Sequence, residues 1–69
     1  MKNLANIRRE KNVSQIELAA MVGLYSSTLS RYEHGRHEPL LSTAVAIADA
    51  LGCTVDDLVR LAEGTSRVS

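Results

Sequence analysis

Cysteine and proline each occur once, the aromatics reduce to two tyrosines, and the formal charge of the 69 residues sums to zero. Each scarcity excludes something. Cys53 has no second cysteine inside the chain, so no internal disulfide is available. No zinc-type His/Cys spacing accompanies it, and the core must rest on apolar packing. A reducing, cytoplasmic setting suits such a chain. No apolar run approaches the roughly 20 residues needed to cross a bilayer, and Met1-Lys2-Asn3-Leu4 lacks the apolar stretch of a signal peptide. Neither a membrane partner nor export is expected. Paired carboxylates, a nucleophile beside a base, a phosphate-binding glycine loop and a metal-ligand cluster are also missing. So small a chain offers little pocket volume, which argues against an enzyme and against a cofactor, metal or small-molecule ligand.

The zero net charge hides an asymmetry. Up to His37 the basic residues Lys2, Arg8, Arg9, Lys11, Arg31 and Arg36 outnumber Glu10, Glu17 and Glu33 by three. From Glu38 onward, Glu38, Asp49, Asp56, Asp57 and Glu63 outnumber Arg60 and Arg67 by the same margin. One half is suited to meeting an anion while the other faces away, or the charges form an ordinary scattered surface.

Apolar residues recur at three and four, nothing alternates convincingly as a strand, and leucine and alanine dominate, so an all-α chain of five helices is expected. The first runs from about Asn3 to Lys11, with Leu4 and Ile7 on one face and Arg8, Arg9 and Lys11 mostly outside it; Val13 anchors the turn that follows. Ser14-Gln15-Ile16-Glu17 has the form of a capping box that opens a second helix. That helix extends to about Val22, with Leu18, Ala19 and Val22 inward and Gly23 stopping it. In a third helix, from Ser26 to Gly35, steps of about 100° gather Ser26, Ser27, Ser30 and Arg31 on one arc and Thr28, Leu29 and Tyr32 on the other. Pro39 falls in the next loop. A fourth, alanine-rich helix spans roughly Ser42 to Leu51, with Val45, Ile47 and Leu51 as its bulkier packing groups and Gly52 closing it. Thr54 opens the last helix. Asp56 and Asp57 occupy its first turn, and Leu58 and Leu61 point inward.

Two helices joined around Gly23-Leu24, the second exposing short polar groups and an arginine, form the pattern of a groove-reading helix-turn-helix. The stretch Ser14-Gln15-x-x-Leu18-Ala19-x-x-Val22-Gly23-Leu24, followed by Ser27-Thr28-Leu29-Ser30-Arg31-Tyr32-Glu33-x-Gly35, resembles the phage-repressor and Cro-like family of DNA-binding regulators, of the xenobiotic-response-element type. Pro39, Leu41, Thr43, Ile47-Ala48, Ala50-Leu51-Gly52 and Thr54-Val55-Asp56-Asp57-Leu58 extend the resemblance, which covers about Leu4 to Leu61. It implies a compact five-helix, lambda-repressor-like bundle with the helix-turn-helix in helices two and three. On that reading residues 1–63 form the DNA-binding domain and 64–69 a loose tail.

The resemblance also implies roles. Ser26, Ser27 and Arg31 fall where the family touches base edges, with Ser30 on the same arc; arginine bridges guanine O6 and N7, and hydroxyls donate or accept. Serines also cap helices, so Ser26 serves either purpose. Gln15 would bind phosphate at the start of helix two, with Arg36, Lys11 and a protonated His34 as further phosphate contacts. Arg8 and Glu33 resemble the family's structural ion pair. Two positions depart from the pattern: Tyr25 and Leu40 stand where small capping residues usually precede helices three and four. Leu40 is then free to join Val55 and Val59 in an exposed apolar patch where subunits of a homodimer pair. The function implied is a sequence-specific transcriptional regulator, a repressor binding a palindromic double-stranded DNA operator as a dimer. The alternative is an antitoxin or other protein-interaction module that neutralises a partner and binds DNA secondarily.

Overall fold

The computed structural model describes residues 1–60, which form α1 (Leu4–Glu10), α2 (Gln15–Val22), α3 (Ser26–Glu33), α4 (Leu41–Leu51) and α5 (Val55–Val59), with no strand among them. Local chemistry sets the ends. The Ser14 hydroxyl accepts from the Glu17 amide at 3.0 Å, and the Glu17 carboxylate accepts from the Ser14 amide at 2.9 Å, which satisfies two donors that the first turn of α2 cannot use. Thr54 and Asp57 repeat the arrangement at α5, at 3.0 and 3.1 Å. These bonds hold the Asp57 carboxyl below the usual carboxylate range. Helix α2 stops at Gly23, whose φ of 74° lies in the left-handed region. The α1–α2 turn is made by Asn12, the one non-glycine residue with positive φ among those described.

Each helix contributes one completely buried aliphatic side chain: Leu4, Leu18, Leu29, Ile47 and Leu58. They meet in a single core with Met1, Ile7, Ala19, Tyr32, Ala44, Ala48 and Leu51, and Val13, Val22, Leu24, Ala50, Cys53 and Val55 pack against its edge. Burying such a side chain stabilises the fold by about 1.5–3 kcal/mol, so these five supply the main apolar anchoring of a small domain. Ala19 and Ala44, both buried, lie on the two helices α2 and α4 that pack together, where small side chains permit close approach. At the other end, the Asn3 amide donates to the Leu58 carbonyl and its side chain to the Asp57 carbonyl, both at 2.9 Å. That pair fastens the start of α1 to α5.

Several sequence expectations need correction. Helix α4 begins at Leu41 with Leu40 at its N-cap, not at Ser42, and no side chain caps it. Val45 is exposed, because it lies beyond the stripe set by Ala44, Ile47, Ala48 and Leu51. Val55 is half-buried against the core and so contributes only part of its surface to the apolar patch expected with Leu40 and Val59. Arg8 is buried, not outside the inner face of α1. Leu61 and the tail 64–69 lie outside the described residues.

Candidate nucleic-acid interface

Helix α3 separates its two faces by burial. Leu29 and Tyr32 are buried in the core, whereas Ser27 and Arg31 are exposed and Ser26 and Ser30 half-exposed. Tyr25 occupies the N-cap without a side-chain cap bond, and its ring is 81 % exposed. Ser26 is therefore the first helical residue and not the cap. Its hydroxyl, like that of Ser27, is not engaged in capping α3.

The end of α3 brings a second arginine beside the first. Gly35 adopts a φ of 74°, its amide donates to the Tyr32 carbonyl at 3.2 Å, and the Arg36 amide donates back to the Arg31 carbonyl at 2.9 Å. This is the paired closure that a left-handed residue after a helix permits. As a result Ser30, Arg31, His34 and Arg36 line one hollow of about 180 Å³. No carboxylate lines it, so the hollow is suited to an anion.

Beneath this surface, one carboxylate joins three helices. Arg8 Nε donates to Glu33 Oε2 at 2.7 Å and Arg8 Nη2 to Glu33 Oε1 at 3.4 Å, while Arg8 Nη1 donates to the Val13 carbonyl at 2.9 Å. Gln15 Nε2 also donates to Glu33 Oε1, at 2.9 Å. The side chains of Arg8 and Glu33 are only 11 % and 5 % exposed. The first turn of α2, the end of α3 and the α1–α2 turn are thus fixed relative to one another by charge-assisted bonds. Sequence reasoning missed the Gln15 bond. The two residues lie 18 apart on different helices, and no local spacing signals such a contact.

Lys11 stands apart from this group. It lines a groove of about 830 Å³ with Asn3, Asn6, Ile7, Arg9, Glu10, Gly52, Cys53 and Asp57, between α1 and the α4–α5 turn. Burial and the nearby Asp57 push the Cys53 thiol up, which disfavours a reactive thiolate. His37 stacks on Tyr32, with ring centroids 6.3 Å apart, and so is occupied as a packing group.

Two helices of similar length joined by a glycine turn, with the second backed by the core and open on its polar side, define a helix-turn-helix protein. The family model described as helix-turn-helix matches residues 4–58, and the chain belongs to this family, in its phage-repressor and Cro-like form. An immunity repressor protein of Bacillus phage phi105 is 42% identical over 53 residues, covering 77% of this chain and 37% of that protein. The uncharacterized HTH-type transcriptional regulator y4dJ of Sinorhizobium fredii is 40% identical over 57 residues, 83% of this chain and 74% of its own length. The cryptic phage CTXphi transcriptional repressor RstR of Vibrio cholerae is 35% identical over 57 residues, 83% of this chain and 51% of that protein. The chain thus spans about half or less of the two phage repressors.

Proposed function

We propose that the chain represses transcription by binding a palindromic operator as a dimer, with α3 lying in the major groove. The observation that carries this reading is the division of α3: Leu29 and Tyr32 hold it against the core, and Ser27 and Arg31 remain open to solvent. Arg31 reads a guanine edge, with Ser26, Ser27 and Ser30 as shorter-range contacts. Gln15 at the start of α2, together with Arg36 and a protonated His34 beyond α3, holds phosphates on either side and sets the docking register. The repressors among the relatives support the direction of regulation.

Selection of bound duplexes from a random pool is expected to return a two-fold symmetric sequence. Arg31→Ala should then cost about 1–3 kcal/mol on that sequence and relax choice at one base of each half-site, whereas Gln15→Ala weakens all duplexes alike. Equal losses on every duplex for Arg31→Ala would count against its reading role.

Pairing of subunits follows from the same reading, because one module reads few base pairs and two linked modules reach half-sites about one turn (~34 Å) apart. Leu40 and Leu41 are 77 % and 73 % exposed at the entrance to α4, Val45 lies one turn on, and Val59 is exposed on α5, which packs against α4. Val55 adds its half-covered edge. Sedimentation at micromolar concentration should show dimers, and a purely monomeric protein with and without operator would remove the pairing from the proposal.

A further inference from the structure

The ring of His34 is pinned in one orientation at the mouth of the anion-suited hollow. Its Nδ1 lies 2.8 Å from the Ser30 carbonyl oxygen and 3.4 Å from the Ser30 hydroxyl. A carbonyl oxygen has no proton to give, so Nδ1 carries the hydrogen and donates it. The same carbonyl accepts the His34 backbone amide at 3.0 Å, which fixes ring and main chain to one oxygen at the end of α3. The second ring nitrogen is therefore defined as well. In the neutral ring, Nε2 is a bare acceptor whose lone pair repels a phosphate oxygen; on protonation it becomes a charged donor.

The surroundings decide which ligand that donor meets. Ser30, Arg31, His34 and Arg36 line the hollow, all of them from α3 and the turn after it, and the only charged groups among them are the two guanidinium groups. Glu33, the carboxylate next in sequence, is turned inward onto Arg8 and Gln15. We propose that His34 contacts a DNA phosphate only in its protonated form, so that affinity for DNA rises on acidification. This rests on the reading that the exposed face of α3 meets DNA. Arg31 and Arg36 supply attraction at every pH, and His34 adds a contact that acidification switches on.

The test uses the full chain and a random-sequence duplex, titrated across a salt series at about pH 5.5 and about pH 8. The wild type should bind roughly tenfold more tightly at the lower pH, as expected of one added charge-assisted bond. Its salt dependence should also steepen by about 0.9 per bound subunit. His34→Ala should lose that gain, and His34→Lys should show the steeper slope at both pH values. Retention of the full pH effect by His34→Ala, or an unchanged wild-type slope, overturns the proposal while leaving DNA binding intact. Absence of salt-dependent duplex binding at both pH values overturns it together with the reading on which it rests.

Discussion

Replacing Glu33 with alanine is expected to destabilise the fold by about 3–5 kcal/mol, because the change leaves the buried Arg8 guanidinium without its counter-charge. The side chains of both residues are almost fully enclosed, and Glu33 also accepts from Gln15, so three bonds are lost together. A domain of this size commonly has a total stability of ~3–9 kcal/mol, so the variant should sit close to unfolding at room temperature. Denaturant titration checks this through a lowered midpoint with unchanged slope. A loss below about 1 kcal/mol would show that the pair behaves as an exposed one. Arg8→Met combined with Glu33→Leu should recover much of the loss, since removing both charges leaves neither stranded. Recovery will be incomplete, because the Val13 carbonyl and the Gln15 amide each lose a partner.

Leu29→Ala is expected to cost about 2–5 kcal/mol, the range for emptying an enclosed aliphatic site. Leu29 is completely buried on the back of α3, where the core holds the helix in place. Thermal unfolding measures the loss. Binding measured well below the midpoint then separates support from reading: Leu29→Ala should keep the wild-type sequence preference although the folded fraction falls, whereas Arg31→Ala should keep stability and lose preference. A large change of preference in folded Leu29→Ala would mean that α3 is seated differently from the geometry described here.

What was legible in the sequence divides by the range of the interaction. The capping box at Ser14 and Glu17 and the glycine stops at Gly23 and Gly52 are contacts within a few residues, and all are present. The all-helical fold followed from apolar periodicity, and so did the polar arc of α3 opposite Leu29 and Tyr32. Reach across the fold was harder to read. The bond of Gln15 to Glu33 and that of Asn3 to α5 depend on how helices are placed, which periodicity does not encode. Val45 and Val55 were misplaced for a related reason: in an alanine-rich helix and in one of five residues, the stripe is too short or too uniform to fix a face. The absence of side-chain caps at Tyr25 and Leu40 was legible as a departure, and the structure keeps both at the N-cap position.

The Gln15–Glu33 bond has one more consequence, for thermodynamics. Gln15 carries two amide hydrogens, and the carboxylate uses one of them, leaving the other available to an incoming oxygen. The orientation of this side chain is thus selected when the chain folds, so the proposed phosphate contact would leave little of it to be frozen on binding.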